Sequence, residues 1–483
     1  MSTPGLSNAT PLTSTDQLAG LLAAGSKPKG QWRIGTEHEK FGFVVPGNAA
    51  RHPNLGAPLP YAAPTYKGWR NAQNPQDPGG IEDVLKGFEA TSTESAGWKP
   101  AYDQGKVIAL SGTGTNKGAA ISLEPAGQFE LSGAPLRTIH ETKAELENHF
   151  NQLRPVAASL GLGFSPLGFQ PLWRRSELPW MPKSRYAIMR AYMPKVGTMG
   201  LDMMQRTCTV QTNLDFGSEA DMARKMRVSL ALQPLNTALF ANSPFQEGRL
   251  SGWTSRRALS WLSTDDARSG IVPSFFEDNF SFEAYVQWVL DVPMYFIIRE
   301  GRYINAAGCS FRAWLAGADQ APLRGHRPTV GDFEDHLTTA FPDVRLKTFL
   351  EMRAADAGSP AMMVAHSALW TGLLYDEPTL MAAEALVREQ PWHIYSQMRN
   401  DVPYFGMDSR LGRSGQQSLR PLAQRVVALA REGLKARGLG EERYLEPLEA
   451  IAAGAPTQAE CWMELFEGEW GGDVRPLFQA SAI

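Results

Sequence analysis

The sequence predicts an α+β fold, and three observations carry that reading. Four separate stretches alternate polar and apolar residues with the period of two that a half-buried strand requires. Around them lie segments of helical periodicity, "IEDVLKGFEA", "LRTIHETKAELENHFNQLRPVAASLG" and "SEADMARKMRVSLALQPLNTALFANSP", and helical patterns fill much of 360–455. The two kinds of segment follow one another without the regular β-α-β beat of a doubly wound sheet.

At 483 residues the chain is long enough to bury a sizeable core. The expected organisation is an N-terminal extension over 1–30 followed by a single large domain over 31–483, mostly helical from about 360 onward. The extension holds one short helix, "TDQLAGLLAAG", with Ser14 or Thr15 as N-cap and Gly25 as stop. Pro/Gly-rich connections are expected at 46–80 and 165–200.

Composition excludes several classes. The chain is 43% hydrophobic and 20% charged with a net charge of -3, an ordinary globular profile without the basic surplus of a nucleic-acid binder. Its most apolar segment, "YVQWVLDVPMYFII", is interrupted by Asp291 and Pro293 and is too short to span a bilayer, so no membrane partner is expected. Cys208, Cys309 and Cys461 are dispersed and form no C-x-x-C pair, which removes a zinc knuckle and a disulfide framework and suggests a reducing cytoplasm. The N-terminal stretch reads neither as a secretory signal nor as a chloroplast-type transit peptide.

In the first alternating stretch, "WRIGTEHEKFGF", Glu37 and Glu39 project to one face and His38, expected to be structural, to the other. In "ISLEPAGQFELSGAP", Glu124 and Glu130 stand on polar sides on either flank of a Pro125/Gly127 break. "TCTVQTNLDF" sets Thr207, Thr209, Gln211, Asn213 and Asp215 against Cys208, Val210, Thr212, Leu214 and Phe216. "VRLKTFLEMR" sets Arg345, Lys347, Phe349, Glu351 and Arg353 against Val344, Leu346, Thr348, Leu350 and Met352, with a helix as the competing reading.

If these strands share a sheet, one face collects five carboxylates beside three cations. Clustered carboxylates repel unless cations sit among them, and hard divalent ions with oxygen ligands, Mg²⁺ above all, meet that need. Mg²⁺ with nearby Arg and Lys is the equipment of phosphoryl transfer. The glycine-rich "SGTGTNKG" has neither Rossmann nor Walker spacing, and no G-x-S-x-G or H-E-x-x-H occurs, so a nucleotide site would be of another kind.

The stretches "GTEHEKFGF", "SLEPAGQFELSGAP", "MPKSRYAIMRAYMPKVGTMGLDMMQRTCTVQTNLDF", "TTAFPDVRLKTFLEMRAAD" and "RNDVPYFG" resemble glutamate-cysteine ligases of the plant and proteobacterial type, in the glutamine synthetase-like superfamily. The resemblance implies a curved, largely antiparallel sheet with a polar concave active-site face and helices on its outer face. It implies an ATP-dependent ligase joining the γ-carboxyl of L-glutamate to the amine of L-cysteine through a γ-glutamyl phosphate, the first step of glutathione synthesis. By the same resemblance the cofactor is about two or three Mg²⁺ ions, with ATP as cosubstrate. The alternatives are a related ligase with another amine acceptor, and a noncatalytic Mg-nucleotide binding protein. Homodimer and monomer are both left open.

The resemblance assigns Glu37, Glu39, Glu124, Glu130 and Glu351 to metal, and Glu351 with Arg353 to a catalytic Glu-x-Arg element. Arg345 and Lys347 are candidates for ATP phosphates, with pairing to surface acids as the equal alternative. Arg185, Tyr186, Met189 and Arg190 are candidates for substrate contact; the segment equally permits a plain core helix, which is the favoured reading for Met189. Thr113 and Asn116 bind substrate or simply build a turn.

Overall fold

The computed structural model describes residues 8–45, 55–62, 79–411 and 417–483. Most of the connection expected at 46–80 lies outside them. Nine strands form one sheet: β1 (Ile34–Val44), β2 (Ala96–Asp103), β3 (Lys106–Gly114), β4 (Ala120–Leu123), β5 (Phe129–Ser132), β6 (Leu162–Ser165), β7 (Thr209–Leu214), β8 (Val344–Leu346) and β9 (Leu350–Asp356). Their order is β8-β9-β7-β1-β5-β4-β3-β2, with β6 on the C-terminal half of β1, and each pair is antiparallel.

The helices that position the site are α1 (Asp16–Ala23), α2 (Ile81–Ala90), α3 (Ile139–Ser159), α4 (Ser184–Tyr192), α5 (Gly200–Arg206), α6 (Glu219–Leu239) and α7 (Arg256–Trp261). They are followed by α8 (Pro360–Leu374) and α9 (Leu419–Arg437), in a stretch that is almost all helix. α4 falls inside the span 165–200 expected as a connection. α3 begins at a capping box: Glu141 N donates to Thr138 Oγ1 and Thr138 N donates to Glu141 Oε2. At α1, Thr15 makes no side-chain cap; the Gln17 carbonyl accepts from Thr13 N and Ser14 N instead. Leu18 and Leu22 of α1 are buried in the main core with residues of α6 and α8, worth about 1.5–3 kcal/mol each.

The stretch 344–353 is a hairpin, β8 and β9, and not the single strand expected. Arg345 lies opposite Glu351, and Lys347 N donates to Phe349 O across the turn. Thr348, expected on the apolar side, is exposed at the tip.

α8 packs on the outer face of β1 and β7, where a polar seam crosses the core. Thr36 Oγ1 meets Ser367 Oγ at 2.7 Å and Thr212 Oγ1 meets His366 Nδ1 at 2.7 Å. Lys40, fully buried, donates to His38 Nδ1 at 3.0 Å and to His149 Nε2 of α3 at 2.9 Å. Burial pushes the Lys40 ammonium down to about 7. The outer face is therefore not the uniformly apolar surface that alternation suggests.

α3 also sends Glu145 to the bend after β5, where its carboxylate accepts from Ala134 N at 2.8 Å. Burial raises this carboxyl to about 7. A carboxyl raised in the folded state binds protons there more readily than in the unfolded chain between pH 4.5 and 7, so wild-type stability falls as pH rises through that window. Glu145→Gln keeps the acceptor and removes the titration. Chemical denaturation at several pH values is expected to show the variant gaining on wild type by about 3 kcal/mol from pH 4.5 to 7; a constant difference refutes the assignment.

Candidate active site

The concave face of the sheet opens into a cavity whose floor is set by register. Glu39 of β1 lies opposite Glu130 of β5, which lies opposite Ser122 of β4. One step along, Glu37 lies opposite Ser132 on one side and Gln211 on the other. Period-two alternation turns Glu37 and Glu39 into the cavity and Lys40 and His38 away from it. Glu124 reaches the same space from the β4–β5 loop, which closes with Glu124 N donating to Gln128 O and needs Gly127 at φ +87°.

The acidic side is held by hydrogen bonds. Asn213 Nδ2 donates to Glu37 at 2.8 Å, Thr209 N to Glu39 at 3.0 Å, and Ser122 and Ser132 hydroxyls to Glu130 at 3.1 and 2.6 Å. These bonds do not offset burial and mutual repulsion. Glu39 is raised well above the ordinary carboxylate value, by burial first and then by Glu124 and Glu130. Glu37 is raised by burial and by Glu351 and Glu130.

The opposite wall is cationic. Arg345 clamps Glu351 through Nε and Nη2, each at 2.8 Å, while its Nη1 donates to Thr338 O and Ala340 O. Lys347 Nζ stands 3.3 Å from Glu351, and Arg353 donates both to Glu351 and to Gln211 Oε1. Burial opposes ionisation of Glu351, yet Arg345, Lys347 and Arg353 hold it well below the carboxylate range.

Glu351, expected as a metal ligand, has its oxygens engaged by Arg345, Lys347 and Arg353, and Arg345, expected at ATP phosphates, gives its guanidinium to Glu351, Thr338 O and Ala340 O.

α4 presents Arg185, Tyr186 and Met189 to the cavity, with Tyr186 OH donating to Leu123 O at 2.7 Å. Arg190, one turn after Tyr186, is not brought there; it stacks on Trp180 at 4.8 Å. Thr113 and Asn116 lie apart on the β3–β4 hairpin, where Asn116 N donates to Thr113 O in a turn. Arg190 lies about 40° beyond Tyr186 around the helix, at the edge of the cavity-facing arc, and its side chain turns to Trp180.

Sequence reasoning missed Arg257 and Trp261 of α7. Arg257 is buried, donates to Ala354 O and Arg353 O, and has Nε unpartnered among the described residues. Trp261 Nε1 is likewise a buried donor without an acceptor, and both side chains line the cavity. Asp356 stands behind Arg257, accepting from Ser243, Ser255 and Asn242 N. The available signal was the doubled arginine after Ser255, the N-cap of α7.

An antiparallel sheet that sets carboxylates and guanidinium groups around one cavity is the site of a carbon–nitrogen ligase. The chain belongs to glutamate-cysteine ligase family 2 (GCS2), whose model matches residues 86–480. It is 46% identical to the chloroplastic glutamate–cysteine ligases of Brassica juncea and Arabidopsis thaliana, over 97% of this chain and 84% and 83% of theirs. It is 45% identical to chloroplastic glutamate–cysteine ligase B of Oryza sativa subsp. japonica, over 97% of this chain and 87% of that one. Among solved structures it shares the fold of the Francisella tularensis glutamate–cysteine ligase in complex with AMP, with TM-score 0.51, 12% identity, and coverage of 93% of this chain and 87% of that one.

The cytoplasmic setting expected from the cysteines does not hold. These relatives are named chloroplastic. Free thiols report a reducing compartment without distinguishing which one. Among the described residues no helix is long and apolar enough to cross a membrane.

Proposed function

We propose that this cavity performs ATP-dependent ligation of the γ-carboxyl of L-glutamate to the amine of L-cysteine. The observation that carries the reading is the polarised cavity, with carboxylates on β1, β5 and the β4–β5 loop facing the cations of α4, α7 and β9. A γ-carboxylate oxygen attacks the terminal phosphorus of ATP and ADP leaves. The cysteine amine then attacks the carbonyl carbon of the acyl phosphate, losing a proton as inorganic phosphate departs.

Divalent cations suit the acidic side by donor chemistry. Glu37, Glu39, Glu124 and Glu130 offer hard oxygens whose mutual repulsion a cation relieves. Among the described residues no group of three acidic, histidine or cysteine side chains is placed to hold a metal by itself, so an ion bound by these carboxylates would need further oxygen ligands. Bound there, Mg²⁺ would neutralise phosphate charge. Arg353, fixed by Gln211 and Glu351, faces the oxyanion that changes shape during transfer. Lys347 adds a compact charge, and Arg257 and Arg185, which also line the cavity, would hold a substrate carboxylate.

The test is ADP release with L-glutamate and Mg·ATP across a panel of amines, repeated in excess EDTA. Cysteine is expected to be preferred, and EDTA to abolish release without unfolding the protein. Preference for another amine overturns the acceptor assignment; undiminished release in EDTA overturns the metal assignment.

A further inference from the structure

Behind α5, on the side away from the catalytic cavity, lies a second recess of about 710 Å³. α5 is the common wall: Met203 and Met204 face the catalytic cavity, while Asp202 and Arg206 face the recess. α7 divides in the same way between Arg257 and Arg256.

Four guanidinium groups line the recess, from Arg175, Arg190, Arg206 and Arg256, against two carboxylates, Asp202 and Glu247. Both carboxylates are engaged: Asp202 by Arg175 at 2.7 Å and Arg206 at 3.2 Å, Glu247 by Arg206 at 3.2 Å. Arg256 has only neutral partners, Gln246 Oε1 at 2.6 Å and Ser260 Oγ at 3.3 Å. Arg190 has no acidic partner among the described residues; it lies over Trp180.

Arg206 and Arg256 both lie against the ring of Phe169, at 4.6 and 4.9 Å. Like charges held this close repel, and the two carboxylates nearby stand against four guanidinium groups. Burial pushes the Arg256 guanidinium below its ordinary value; Asp202 and Glu247 oppose that shift and Arg206 adds to it. Arg206 is only 2% exposed, and its Nε and Nη2 find no acceptor among the described residues. A buried arginine with two idle donors, in a recess carrying two surplus positive charges, lacks acceptor oxygens.

We propose that this recess is a second ligand site, distinct from the catalytic cavity, for a small di- or trianion bearing carboxylate or phosphate oxygens. Its planar donors suit bidentate oxyanions, and its volume admits a metabolite-sized molecule.

The test is isothermal titration of the full chain with citrate and, separately, inorganic phosphate. The proteins are wild type, Arg190→Gln, Arg256→Gln and, as a control in the catalytic cavity, Lys347→Ala. At least one probe is expected to bind wild type and Lys347→Ala alike, with Kd below about 1 mM, and to bind a recess variant at least about tenfold more weakly. The stronger probe identifies the oxyanion class. Arg190 is exposed, so Arg190→Gln is informative even if Arg256→Gln folds poorly. No saturable binding of either probe, equal affinity in both recess variants and wild type, or loss in Lys347→Ala alone overturns the site.

Discussion

Arg353→Ala is expected to lower turnover by at least about a hundredfold while leaving the fold intact. The guanidinium is held toward the cavity by Gln211 Oε1 at 2.8 Å and by Glu351. Nothing else on β9 offers a planar, permanently charged donor to an oxyanion that passes from carboxylate to acyl phosphate to tetrahedral adduct. The fold survives because Glu351 keeps Arg345 and Lys347 as counter-ions, so no buried charge is stranded. Single-turnover phosphate release separates chemistry from product release, and chemical denaturation reports the fold. A rate near wild type would remove Arg353 from the reacting centre; an unfolded variant would recast it as structural.

How much of this was legible in the sequence depends on the range of each signal. Glu37 and Glu39 were readable because strand parity is local: two residues apart means one face, whatever the strand pairs with. The β8–β9 hairpin was not, because "LKTF" contains no Gly, Asn, Asp or Pro to announce a turn. Straight strand and hairpin both place Arg345 and Glu351 on one face, so the residues were found and their connection was not. Arg190 was grouped with Arg185, Tyr186 and Met189 because it stands one turn after Tyr186, but it sits at the edge of that arc and its side chain turns to Trp180, a contact that helix periodicity does not announce. Arg257 escaped for the opposite reason: it comes from a six-residue helix far along the chain and carries no periodic signal. The polar seam beneath the sheet was hidden too, since His38, Lys40 and His149 meet only when α3 packs on β1.

Glu351→Gln is expected to cost about 3–5 kcal/mol of stability, a large share of the roughly 5–15 kcal/mol that holds a typical domain folded. Glu351 is fully buried and is the carboxylate toward which Arg345, Lys347 and Arg353 all turn. Glutamine keeps the size but removes the charge, and it turns an amide N–H₂ toward guanidinium donors that need an acceptor. The pH dependence distinguishes this from ordinary loss of packing. A carboxylate held below its unfolded value contributes stability in full above about pH 4.5 and loses it as pH falls further, when the unfolded chain takes up a proton that the native state refuses. The gap between wild type and variant should therefore be widest near neutrality and narrow below about pH 4.5. Denaturation midpoints from pH 7 to pH 3 measure it. A gap independent of pH would mean that the three cations are balanced by the cavity's other carboxylates, and the clamp at Arg345 would then be a consequence of the hairpin and not its cause.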